Sequence, residues 1–220
     1  MDFTNIYFPA WFSWTTSSCS LLMVLYVLGR LYPFQQLQAR LNQWLWSVFF
    51  LGIIWFIRVT LDSGFNMHLS GAMLMALMFG WRLGFLGLCL VNVLVCLFGN
   101  ALFINLGTAI LLNALLPVTL SYFIFLVLEA KLPRHFFIYI FGTAFFGSWI
   151  MSITTGIVIS LCLTIFDAFA WPLLIKEYLP YHFLLGFAEA FQTAALITLF
   201  VVYQPAWVYT FRDQRYLHGK

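Results

Sequence analysis

Long apolar runs, cut at intervals by polar residues, glycine and proline, occupy this chain from about residue 10 to about residue 204. A helix that crosses a bilayer needs about 20 mostly apolar residues to traverse roughly 30 Å of hydrocarbon. The runs and their breaks predict about seven such spans, at approximately 10–30, 43–61, 68–80, 83–99, 106–128, 136–166 and 181–204. The third is short and ends in the break Gly80-Trp81-Arg82-Leu83-Gly84. The sixth, taken as one helix, would be about 46 Å long, so it must tilt, kink or project from the membrane. A short element beside a long one predicts a compact bundle with re-entrant features rather than equal rods.

Composition agrees with the pattern. Of 220 residues, 64% are hydrophobic and 8% charged, with a mean hydropathy of +0.97. Soluble domains carry about 25% charged residues, so a soluble domain, a nucleic-acid binder and a disulfide scaffold are all excluded. The fold class is all-α: a polytopic membrane protein with one integral domain over residues 1–220, placed in the plasma (inner) membrane. The opening Met1-Asp2-Phe3-Thr4-Asn5 lacks the basic stretch of a cleaved signal, so the N-terminus is expected to stay with the mature protein. Basic residues favour the cytoplasmic side. With the N-terminus outside and the C-terminus inside, that side collects Arg30, Arg40, Arg82, Lys131, Arg134, Arg212, Arg215 and Lys220, leaving Arg58 and Lys176 outside. Cys19, Cys89, Cys96 and Cys162 lie in apolar runs and form no CxxC pair, as small buried hydrophobes do.

In so apolar a chain, each polar group at membrane depth needs a reason. Glu189 falls inside the last span, where a carboxylate must be protonated, paired or wet. His68 and His182 open the third and seventh spans at the outer face, and neutral imidazole is a common metal ligand. Arg58 and Asp62 are spaced to pair on a helix. In the sixth span Ala144, Ser148, Ser152, Gly156 and Ser160 recur at every fourth position. That stripe serves close helix packing or, at Ser148, Ser152 and Gly156, docking of another membrane subunit. Met67, Met75 and Met78 beside His68 would suit Cu(I), although methionine also fills helix interfaces. No phosphate-binding loop, HExxH or GxSxG is present. Glu189 and His182 as the acid and base of an intramembrane hydrolase would share a helix face but lie roughly 10 Å apart. No catalytic residue is assigned, and any ATP-driven motor belongs to another polypeptide.

Several of these residues line up in order with one family. Asn66-Met67-His68-Leu69-Ser70-Gly71-Ala72, followed by Phe79-Gly80 and Gly84, resembles the glycine-rich block of the substrate-binding membrane subunits of cobalt and nickel energy-coupling factor transporters, the CbiM/NikM family. Phe98-Gly99-Asn100 through Leu106-Gly107-Thr108 is similar to that family's second glycine-rich loop. His182, Gly186, Glu189, Ala190, Thr193, Ala194 and Pro205 are similar to its closing signature. The resemblance covers roughly residues 60–205.

It implies a capture subunit whose metal ion is held near the outer face by the threaded amino terminus and the histidine of the third span. By position, Met1, Asp2 and His68 become the metal ligands, and His182, Glu189 and Asn66 support the site. A coupling membrane protein and cytosolic ATPases are the implied partners, besides membrane lipid; no nucleic acid and no resident cofactor are implied, the metal being cargo. The chain departs from the family at its start, Met1-Asp2 standing for Met-His, and at Ala109 and Gln204. A carboxylate there favours harder coordination than an imidazole. The expectation is a substrate-capture or permease subunit for a transition-metal cation. Cu(I) or a small organic substrate on the same fold, and a membrane assembly partner without transport, are the alternatives.

Overall fold

The computed structural model describes residues 8–30, 34–61, 64–99, 103–212 and 216, without the side chains of 34–37 and 39. Six long helices make the bundle: α1 (Ala10–Gly29), α2 (Phe34–Phe56), α3 (Ala72–Phe98), α4 (Phe103–Lys131), α5 (Ile138–Ile165) and α6 (Trp171–Tyr203). Five of them are long and apolar enough to cross a membrane; α2, which carries Arg40, Asn42 and Gln43, is not among these. Large apolar side chains such as Leu22, Phe98, Ile165, Leu184 and Phe191 remain on the outside, a surface suited to lipid tails. The chain is a multi-pass membrane protein.

Seven separate spans were predicted, and six long helices are present. The difference lies in α3, which holds the predicted third and fourth spans. Its backbone breaks at Gly80, with φ 77° and ψ 177°, a conformation that only glycine adopts without strain. In a straight helix, residues nine apart are about 13.5 Å apart along the axis. Here a Cβ on Gly84 would lie 3.2 Å from the carbonyl of Met75 and 3.3 Å from the nitrogen of Ala76. The two limbs therefore double back on each other. The first limb, Ala72–Phe79, is only about 12 Å long, too short to span hydrocarbon alone. Every residue in it except Leu74 is buried, and it forms the centre of the main core.

The segment before this limb is not helical. α2 ends at Phe56, and β1 (Val59–Thr60) pairs antiparallel with β2 (Asn66–Met67), Val59 opposite Met67 and Thr60 opposite Asn66. His68 was expected to open the third helix; it lies instead in the irregular segment between β2 and Ala72. α2 stops at Phe56, so Arg58 is not on a helix as expected; Asp62, its expected partner, lies outside the described residues. The hairpin seats Phe65 and Met67 on a second, smaller core with Ile159, Leu163, Leu174 and Tyr178.

Proline explains two irregularities in the long helices. A proline clashes with the carbonyl four residues earlier and offers no N–H. The π-helical turns Leu111–Leu115 in α4 and Leu174–Tyr178 in α6 contain those carbonyls, of Asn113 and Lys176, just ahead of Pro117 and Pro180. The wider turn makes room for the ring. As a result α6 does not begin near residue 181, as predicted, but at Trp171, where Pro172 suits a helix start. Glu189 thus sits near the middle of α6, roughly 27 Å from its first residue.

Candidate functional site

The first turn of any helix leaves backbone N–H groups without partners. At the start of the short limb of α3 these groups lie inside the bundle. One side chain from α6 pairs with them: Glu189 Oε1 accepts from Gly71 N at 2.9 Å, and Oε2 accepts from Ser70 N at 3.2 Å. Ser70 Oγ accepts from Ala72 N at 3.0 Å. Glu189 is 2% exposed. An acidic group facing a helix N-terminus is favoured by the helix dipole as well as by its hydrogen bonds. Gly71 makes the arrangement possible. Its φ of 67° is left-handed, and a Cβ there would lie 2.5 Å from Leu51 Cδ1.

His68 rides on the segment that Glu189 fixes. It is 6% exposed, its ring centroid lies 4.2 Å from that of Trp55, and Trp55 Nε1 donates to Ser70 O at 3.2 Å. Its Nδ1 lies 3.3 Å from Leu69 O. A carbonyl only accepts, so this contact places the hydrogen on Nδ1 and the lone pair on Nε2. Asn66 accepts from Thr60 Oγ1 at 2.7 Å across the hairpin, so its side chain braces the loop that leads into His68.

His182, four residues beyond the π-helical turn of α6, is packed between Tyr178 and α5. The rings of Tyr178 and His182 are 5.2 Å apart, and Phe65 of the hairpin is 5.3 Å from Tyr178. His182 Nε2 lies 3.0 Å from Ser152 O. The ring rests against Gly156, where even a Cβ would overlap Cδ2. Ser152 Oγ sits 2.8 Å from where a Cβ on Gly186 would be, and Ser148 Oγ is 3.5 Å from Thr193 Oγ1. Ser148, Ser152 and Gly156 are all buried. Within the chain, the close approach of this stripe is between α5 and α6.

Met67, Met75 and Met78 are buried in the two cores. Met1 and Asp2 lie outside the described residues. Among the described residues, no three His, Cys, Asp or Glu side chains gather as a metal-binding group. Behind Glu189, a cavity of about 660 Å³ opens between α2, the short limb and α6, lined by Gln43, Ser47, Gly71, Gln192, Thr193 and apolar side chains. Glu189 lines this cavity together with Leu69 and Gly71 of the segment that follows His68. Sequence reasoning found His68, His182 and Glu189 but missed what links them: the Ser70 and Gly71 amides, Trp55, Tyr178 and the Ser152 carbonyl. Ser70-Gly71 ahead of an apolar run was the available signal, since both residues mark helix boundaries.

Solved structures share the fold of this helical bundle. A crystal structure of a transition metal transporter superimposes with a TM-score of 0.75 at 16% identity, covering 90% of this chain and 92% of that one. A truncated transition metal transporter gives 0.74 at 17% identity, covering 92% and 98%. At those identities the likeness is one of fold. Among curated proteins, none matches the sequence. The family described as the cobalt uptake substrate-specific transmembrane region, CbiM, matches residues 3–207, and the chain belongs to it.

Proposed function

We propose that this protein is the substrate-capture subunit of an energy-coupling-factor-like uptake system for a transition-metal cation, cobalt or nickel by family. At the coarser level it is a membrane component of metal uptake. The observation that carries the finer reading is the pair of hydrogen bonds from Ser70 and Gly71 to Glu189. They fix irregular backbone deep in the bundle, and irregular backbone at such depth is tolerated where it is buried in protein or lines a cavity. His68 is delivered there with its Nε2 lone pair set by the Leu69 contact. A fixed tautomer held by a second-sphere acceptor is what a metal-binding imidazole requires.

The remaining donors are assigned to the chain's beginning: the amine of Met1 and the backbone and carboxylate of Asp2. Deprotonated nitrogen and carboxylate oxygen bind divalent first-row ions. The sequence carries no phosphate-binding loop, so release to the cytoplasm is assigned to a coupling membrane protein and cytosolic ATPases. The test is metal content. Protein with its native N-terminus and no affinity histidines, exposed to divalent cations and Cu(I), should retain near-stoichiometric metal by mass spectrometry; His68→Ala should retain none while staying folded. A folded wild type without metal overturns the proposal.

The cavity behind Glu189 favours a second reading, capture of a small organic molecule, since about 660 Å³ is within the usual range of ligand pockets. Under that reading Gln192→Leu would abolish ligand retention and His68→Ala would not.

A further inference from the structure

Resting on the metal-capture reading above, we infer that His182 is itself a metal ligand, through Nδ1. Its Nε2 lies 3.0 Å from the backbone carbonyl of Ser152. A carbonyl has no hydrogen to give, so Nε2 carries the hydrogen and Nδ1 carries the lone pair. That Nδ1 is buried and has no hydrogen-bond partner. Buried polar atoms in native proteins almost always have one, and an unmatched lone pair on a rigidly placed ring needs an occupant.

Three features make that occupant a cation rather than a stray donor. The ring cannot turn away, because Gly156 of α5 admits it with no room for a methyl, and Tyr178 covers it at 5.2 Å. Its other nitrogen is oriented by a backbone carbonyl, the arrangement metal-binding histidines commonly show. Finally, His182 packs against the hairpin that carries His68: Tyr178 covers its ring, and Phe65, three residues before His68, lies on Tyr178 at 5.3 Å. On this inference His68 Nε2 and His182 Nδ1 supply two imidazole nitrogens to the same ion.

X-ray absorption of the Co(II)-loaded full-length protein, in nanodiscs and without affinity histidines, decides the matter by counting imidazoles on the metal. Two are expected in the wild type and one in His182→Gln, with Co(II) affinity lower by about 100-fold. Gly156→Ala, which displaces the ring without removing it, should weaken Co(II) by about 10-fold. A count of one in the wild type, or an unchanged count and affinity in His182→Gln, overturns the inference and leaves metal capture standing. It would mean that Nδ1 holds only a trapped water. A folded wild type that takes up no Co(II) overturns both. If His182→Gln does not fold, the wild-type count alone gives the answer.

Discussion

The two ends of the short limb Ala72–Phe79 pose the same physical problem, unpaired backbone groups deep in a membrane bundle, and meet it with different chemistry. At the start, two N–H donors converge on one carboxylate, Glu189, brought from the middle of α6. At the finish, where Gly80 interrupts the helix, the free carbonyls of Leu77 and Met78 accept from the backbone N–H groups of Thr210 and Tyr209, at 3.2 and 3.1 Å. Thr210 Oγ1 donates to Leu77 O as well, at 3.0 Å, and is held by Tyr139 at 2.6 Å. The second solution is mostly backbone and indifferent to sequence. The first depends on a single ionisable side chain beside a buried histidine. A stability problem can be solved either way; placing a titratable group in the membrane interior is costly, and under the proposed function it is the choice that also positions His68.

The comparison breaks most sharply at Glu189. Glu189→Ala leaves two buried donors unpaired, at about 1–3 kcal/mol each, so a loss of about 2–6 kcal/mol is expected. Melting followed by tryptophan fluorescence in detergent would show it, together with loss of bound Co(II), since the His68 segment is no longer held. Glu189→Gln restores one acceptor and sets an NH₂ group against the other N–H, so it should recover part of both. If Glu189→Ala melts like wild type, the carboxylate is not what holds the limb.

Gly80→Ala comes next. The backbone there is essentially reserved for glycine, at about 1–3 kcal/mol for any other residue, and the new Cβ would lie 3.1 Å from the Tyr209 ring. The melting temperature should fall, while the Co(II) affinity of the folded fraction stays within about twofold of wild type, because this end carries no ligand. A tenfold loss of affinity, about 1.4 kcal/mol, would mean that the limb transmits strain from one end to the other.

The difference between these ends also explains what could be read in advance. Helical class and membrane placement were legible because apolar runs of about 20 residues admit little else. Glu189, His68 and His182 stood out because a polar residue in such a run is rare. The span count was harder. Gly80 was visible as a break, but a glycine break does not say whether the chain crosses, kinks or doubles back; the close approach of Gly84 to Met75 decides that, and it is a tertiary fact. The serine-glycine stripe at 148, 152 and 156 illustrates the same gap. Its spacing specifies a close helix contact and leaves the partner open, which proved to be α6 of the same chain. The start of the last helix was placed near residue 181 rather than at Trp171, because Pro180 breaks the apolar run and the π-turn Leu174–Tyr178 that lets α6 pass it has no mark in the sequence.

Thr210→Val tests the quieter end and carries the smallest expected effect. Valine keeps the shape and the backbone N–H, so Leu77 O retains one of its two donors. What is lost is the hydroxyl that donates to Leu77 and accepts from Tyr139, a net cost of about 1 kcal/mol. Thr210→Ser, which keeps the hydroxyl, should restore nearly all of it. Neither change should alter Co(II) content, since the hydroxyl touches only the carbonyl end of the limb and the phenol of α5. Equal losses of metal in Thr210→Val and Glu189→Ala would erase the distinction between the two ends, because a purely structural cap would then be acting on the site. An unchanged metal content beside a lowered melting temperature would separate holding the fold from holding the ion.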